Sequence, residues 1–195
     1  MNILAHALVA AGNDDLMLGS MIGDFVHGPV PQGLRPGLEA GIRLHRAVDI
    51  YTDDHPVVRE LRGTFVAPFR RFAGIILDVW FDHLLARDFA RYSNESLAAF
   101  SDRVMALLAA HAHELPESMH GFVAYMARGG LPAGYAERAK IARAFAGIAS
   151  RFARANPIAD ALDAIDANAD VIADGFAVFF PQLQAFARSE IDAQR

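Results

Sequence analysis

Ionisable side chains interrupt an apolar run at Asp78-Val79-Trp80-Phe81-Asp82-His83, which follows Ile75-Ile76-Leu77 and precedes Leu84-Leu85-Ala86. Burying a carboxylate there costs several kcal/mol unless a cation or hydrogen bonds compensate. Asp78 and Asp82 stand at i and i+4, so on a helix they share a face and repel each other. A metal ion between them removes that penalty. His83 is turned by about 100° from Asp82 and joins the same site if the metal lies between the two directions. The other reading is one solvent-facing acid and a hydrogen-bonded core histidine. His45 and Asp49 form a second i, i+4 pair, suited to sharing a metal or a water, or to an ordinary surface ion pair. His6 and Asp24 are lone polar residues in apolar segments. This set offers the nitrogen and oxygen donors that Mn²⁺, Fe²⁺, Mg²⁺ or Zn²⁺ accepts. Arg43 and Arg46 flank His45, where they could hold a phosphate or face solvent. His111, His113 and His120 read as capping or solvent residues. The chain has no Walker loop, G-x-S-x-G elbow or dinucleotide fingerprint.

The elements that must position these groups read as helices. Residues 2–11 are apolar, Gly12-Asn13-Asp14-Asp15 signals a turn or cap, and Leu16 to Val26 forms a second apolar segment. Gly28 to Gly37, with three prolines and three glycines, is a loop. Leu38 to about Thr52 has helical spacing, and Asp53-Asp54-His55-Pro56 ends it and starts the next helix, to about Arg62. Pro68 marks a break. Arg70 to Tyr92 reads as one long buried helix. Leu97–His113 carries an amphipathic stripe at Leu97, Phe100, Val104, Leu107 and Leu108. A short helix from Pro116 to about Arg128, a loop at Gly129–Gly134, and a helix at Ala136–Arg154 follow. The pattern then predicts a helix from Pro157 to about Asp174 and a last one over Gly175–Arg195, interrupted at Pro181. With no alternating strand pattern and abundant alanine, the expected fold class is all-α, as one compact multi-helix domain over residues 1–195.

Composition narrows the function classes. The chain has 195 residues, 53% of them hydrophobic and 21% charged, which fits a globular core rather than disorder. A net charge of −5 gives no basic excess for nucleic acid. The cations are unevenly placed, however. Arg35, Arg43, Arg46, Arg59, Arg62, Arg70 and Arg71 lie close together in sequence, whereas only Arg188 and Arg195 follow Asn156. A locally basic face on an acidic protein suits an anionic partner. The absence of cysteine excludes thiolate metal sites and cysteine nucleophiles. Neither a signal peptide nor an apolar run of membrane-spanning length is evident, so a cytoplasmic protein is expected.

The chain resembles the acyl carrier protein phosphodiesterases, outlying members of the HD (His-Asp) metal phosphohydrolases. The likeness lies in Met1-Asn2-Ile3-Leu4-Ala5-His6, Gly23-Asp24-Phe25-Val26-His27-Gly28, the stretch from Gly41 to Asp53 around His45 and Asp49, and Leu77 to His83. Weaker similarity continues at Gly147–Arg151 and Phe179-Phe180-Pro181. The resemblance implies an HD-like fold and hydrolysis of the phosphodiester between 4′-phosphopantetheine and a serine of holo-acyl carrier protein, with a divalent metal, typically Mn²⁺. It implies Asp24, His45, Asp78, Asp82 and His83 as metal ligands. Asp49 would help deprotonate the attacking water, and His6 or His27 would protonate the leaving serine. Arg43, Arg46, Ser150 and Arg151 would hold the phosphate, and the Arg35–Arg71 belt would steer an acidic carrier protein. Arg43 stands where the family pattern places a second histidine, which favours anion binding there. Two other readings stay open: an HD-like hydrolase of a small phosphate ester or nucleotide, and a non-catalytic helical module for an acidic partner.

Overall fold

The structure, a computed structural model, describes residues 3–194 and is all-α, with no strand among the described residues. Local signals place the helices of the first half. Asn13 accepts a hydrogen bond from the Leu16 amide at 3.0 Å and caps α2 (Asp14–Ile22), with Asp14 and Asp15 in the first turn complementing the helix dipole. Proline opens both α3 (Pro36–Asp54) and α4 (Pro56–Thr64), where a missing N–H costs nothing. A short first helix, α1 (Ile3–Val9), is buried along its whole length.

Helix α5 (Ala73–Arg87) is the axis of the molecule. It packs against α1, α4, α8 (Arg138–Ala149) and α10 (Ala169–Ala193). Its hydrophobic side chains are buried on several faces, including Ile76, Leu77, Val79, Trp80, Phe81, Leu84 and Leu85. The continuous helix expected from Arg70 to Tyr92 is divided. A 3-10 turn at Arg70–Phe72 leads in and another at Phe89–Arg91 leads out, the latter after Asp88 turns the chain with its amide still bonded to the Leu84 carbonyl.

Around this axis stand α6 (Leu97–Ala110), α7 (Glu117–Gly129) and α9 (Ala161–Asp166). The Ser96 side chain caps α6 through the Ala99 amide, and Gly130 ends α7 at a φ of 60°. At the C-terminal end the expected break is missing: α10 runs through Pro181 without stopping. Proline removes one hydrogen bond, but Phe176, Phe179, Phe180 and Leu183 bury themselves around it, and that packing keeps the helix whole. The break falls earlier instead, at Ala167-Asn168 between α9 and α10.

Helices α2 and α3 are the closest pair. A Cβ on Gly19 would lie 2.9 Å from the Cα of Gly41 and would overlap the Leu38 carbonyl oxygen. Two glycines thus let the backbones touch, which sets the rest of α3 and the side chains His45 and Asp49, one and two turns beyond, against α1 and α2.

Candidate active site

His6, His45 and Asp49 converge between α1 and α3. One nitrogen from each imidazole and one Asp49 carboxylate oxygen lie within 4.8 Å of one another. Asp49 bridges the pair, with Oδ1 3.2 Å from His6 Nε2 and Oδ2 3.1 Å from His45 Nε2. The two rings stack with centroids 3.9 Å apart. Both imidazoles are buried, while the Asp49 side chain is 37% exposed, so the group opens to one side.

The orientation of the His45 ring is fixed by its surroundings. Its Nδ1 donates to the Ser20 carbonyl at 2.8 Å, which turns Nε2 toward Asp49 and Asp24. Asp24, on the 3-10 turn Gly23–Phe25 that follows α2, accepts from the same Nε2 at 3.2 Å, and its side chain is 65% exposed. Burial depresses the basicity of His45, but the hydrogen bonds to Asp24 and Asp49 outweigh it and lift its pKa to about 9. His6, desolvated and stacked on that cationic ring, falls to about 4 despite Asp49. Burial would raise the Asp49 carboxyl, yet the two histidines hold it well below the ordinary carboxylate range. The His45 hydrogen bond lowers Asp24 in the same way.

The residues fit a divalent cation. His6 is neutral and buried, and its Nε2 lies off the line of a regular hydrogen bond to Asp49, which leaves a nitrogen lone pair in a polar cluster. Two imidazoles and a carboxylate are a donor set that would hold a first-row divalent ion. The Nδ1 bond to Ser20 supplies the outer support that orients a histidine ligand.

Gly23 fits this arrangement because a Cβ there would lie 2.7 Å from His45 Cβ and would overlap the imidazole ring. Its φ of −52° admits alanine, so Gly23→Ala acts on the ring rather than on the backbone. We expect it to lower turnover by about 10²-fold, the usual consequence of displacing a reacting group by roughly 1 Å. Steady-state kinetics beside a melting curve checks this. A variant with wild-type kcat would show that the ring position is not critical.

Other expected site residues stand outside the His6–His45–Asp49 cluster, Asp78 alone sharing a cavity with Asp49. Asp82 is fully buried and accepts hydrogen bonds from the backbone amides of Leu4 at 2.9 Å and Ala5 at 3.1 Å. Both of its oxygens therefore serve the N-terminus of α1, the helix that carries His6. His83 turns away, with Nδ1 donating to the Tyr135 carbonyl at 2.8 Å and its ring against Trp80. Asp78 lines an acidic cavity of about 300 Å³ with Asp24, Asp49 and Asp53, and burial pushes its carboxyl upward. His27 is exposed on the loop after Asp24, and Arg46 ties that loop down through the carbonyls of Val26 (2.9 Å) and Gly28 (2.7 Å). Arg43 pairs with Glu39, one turn earlier on the same helix. The Ser150 hydroxyl bonds to the Gly147 carbonyl at 2.8 Å.

A second cavity, of about 420 Å³, starts at His6, His45 and Asp24. Phe25, Phe122 and Tyr125 form an aromatic strip along it, and Arg143, Gly147 and Arg151 line it from the α8 side. Arg151 belonged to the expected phosphate set, whereas Arg143 carried no signal beyond its spacing of eight residues from Arg151.

The likeness to known proteins covers nearly the whole chain. Residues 1–183 match the protein family described as acyl carrier protein phosphodiesterase. A Yersinia pestis protein of that name is 35% identical over 190 residues, covering 96% of this chain and 98% of its own length. One from Yersinia enterocolitica is 34% identical over 192 residues (97% and 99%), and one from Escherichia coli O139:H28 is 32% identical over 195 residues (96% and 97%). No solved structure matches. His6, Asp24, His45 and Asp49, which meet in space, come from three of the sequence stretches that carry the resemblance. The chain belongs to the acyl carrier protein phosphodiesterase family.

Proposed function

We propose that the protein hydrolyses the phosphodiester joining 4′-phosphopantetheine to the serine of holo-acyl carrier protein. Water adds to phosphorus, the bond from phosphorus to the serine oxygen breaks, and apo-acyl carrier protein and free 4′-phosphopantetheine leave. The observation that carries this reading is the His6–His45–Asp49 cluster at one end of a cleft that also holds two arginines. The same family name on full-length relatives supports the substrate.

In this reading His6, His45 and Asp49 hold a divalent cation, Mn²⁺ by preference, with Asp24 beside them. The cation supplies Lewis acidity at phosphorus and makes water a usable nucleophile near neutral pH. Asp24, exposed beside the cluster, is the carboxylate placed to take the proton of the attacking water. His6 is committed to the cluster, which leaves His27, exposed on the loop after Asp24, as the candidate to protonate the serine oxygen. Asp82 acts at one remove, by fixing α1 and so the ring of His6. Attraction of an acidic partner falls less on the Arg35–Arg71 belt than its charge implies. Arg35 pairs with Asp15 and Glu114, Arg43 with Glu39, Arg59 with Asp54 and Arg62 with Asp53. Among the described residues, no helix is long and apolar enough to cross a membrane.

Incubation of the protein with holo-acyl carrier protein and Mn²⁺, followed by intact-mass measurement, tests the proposal. The carrier protein should lose the mass of its prosthetic group. Protein stripped of metal by a chelator should leave it intact until Mn²⁺ returns. An unchanged mass with the Mn²⁺-loaded protein would overturn this function.

A further inference from the structure

We propose that the cleft beside the cluster is built for the prosthetic arm itself: Arg143 and Arg151 grip its phosphate, and Gly147 between them leaves the floor open. This rests on the function proposed above and deepens it, because it names which part of the substrate the enzyme reads. The residues recur at i, i+4 and i+8 along α8 and the turn after it, so one helix face presents them to one cavity. Both arginines are exposed, and neither has an ion-pair partner among the described residues. Arg35, Arg43, Arg59 and Arg62 are in contrast paired with acids, and Arg46 is tied to backbone carbonyls. Free guanidinium groups lining the cavity that His6 and His45 also line are suited to a phosphate oxygen pair.

The glycine sharpens the assignment. A Cβ built at Gly147 meets nothing within 4 Å, although the residue lies within a helix, where glycine is unfavourable. Its backbone gains nothing from being glycine, and its contribution is the space above it. Across that space runs the aromatic strip, with the Phe25 and Phe122 rings 5.7 Å apart and those of Phe122 and Tyr125 6.3 Å apart. A chain with methyl and methylene groups behind a phosphate matches this order, with the anion at the arginines and apolar carbon along the rings. The pantetheine arm has that order, and the carrier protein's surface need not enter the cleft.

Calorimetric titration of metal-free protein with free 4′-phosphopantetheine, dephosphorylated pantetheine and inorganic phosphate tests the assignment without turnover. 4′-Phosphopantetheine should bind at least about tenfold more tightly than either fragment. Arg143→Ala and Arg151→Ala should each weaken it by a similar factor, and Gly147→Leu should abolish it while the melting temperature is kept or raised. Equal affinity for phosphorylated and dephosphorylated arm, no binding by wild type, or an Arg143→Ala protein with wild-type affinity would each overturn the proposal. Arg143 is exposed, so its variant reports even if Gly147→Leu fails to fold. If Mn²⁺-loaded wild type cleaves holo-acyl carrier protein but the arm does not bind, this inference falls alone. If the arm binds and no cleavage occurs, the proposed reaction falls instead.

Discussion

Asp49→Asn should cost the protein its divalent cation and its hydrolytic activity while leaving the fold in place. One carboxylate faces both histidines, Oδ1 toward His6 and Oδ2 toward His45, so no other residue of the cluster touches both rings. An amide keeps one acceptor and turns an NH₂ group toward the other ring, which removes a donor atom and a negative charge together. Mutating a residue that merely orients a metal ligand costs 10- to 100-fold in affinity or activity, so loss of a ligand should exceed about 100-fold in Mn²⁺ affinity. The accompanying fall in kcat/KM should be on the order of 10³, equivalent to roughly 4 kcal/mol. The side chain is 37% exposed, so the exchange opens no core cavity, but it removes a carboxylate that pairs with the buried His45 imidazolium, so the melting temperature of the metal-free protein should fall by several degrees while the fold is kept. Mn²⁺ titration and the holo-acyl carrier protein mass assay measure the two losses. Wild-type Mn²⁺ affinity in this variant would remove Asp49 from the cluster's chemistry.

His45 and Asp49 were legible in the sequence because a helix converts a spacing of four residues into a shared face, and α3 does so here. The all-α class and several helix starts were legible for the same local reasons, as at Asn13 and Pro56, which each act within a turn of themselves; Pro36 read as part of the loop although it opens α3. What failed to show was long-range. Asp82 was visible as a buried acid that needed compensation, but its partners are backbone amides 77 and 78 positions away, which no side-chain pattern records. His6 could be read as one of several possible metal donors, or through the resemblance as a proton donor, because nothing local ties it to Asp49. Arg43 read as a phosphate ligand although Glu39, four residues before it, was the available signal for a helix-surface pair. Arg143 carries no motif and Gly147 only the weak similarity at Gly147–Arg151, and the shared cavity with Phe25 and Phe122 is what gives them meaning. Pro181 misled because breaking a helix is a local cost that the surrounding phenylalanines outweigh.

Asp82→Ala should instead be felt throughout the molecule. Helix α1 has seven residues, too few to persist alone, and its first amides have no partners within the helix. The Asp82 carboxylate meets two of them in a fully buried position. Truncation strands both amides away from water at about 1–3 kcal/mol each, so the protein should lose roughly 2–6 kcal/mol. For a chain of this size that lowers the melting temperature by about 5–20 °C. Because α1 carries His6, Mn²⁺ affinity should fall too, though by less than in Asp49→Asn. The pH dependence separates this role from a generic packing defect. Burial raises the Asp82 carboxyl from 3.8 to about 7, against the opposing pull of the two amides. A carboxyl raised on folding contributes stability that is complete below its unfolded pKa and is lost as pH climbs through the folded value. The window is therefore about pH 4 to 7, and each pKa unit corresponds to roughly 1.4 kcal/mol. Denaturant unfolding of metal-free protein should accordingly show Asp82→Ala costing more at pH 5 than at pH 8. A variant that melts within a degree or two of wild type at pH 5, or whose penalty does not shrink as pH rises, would contradict the assignment of Asp82 as the anchor of α1.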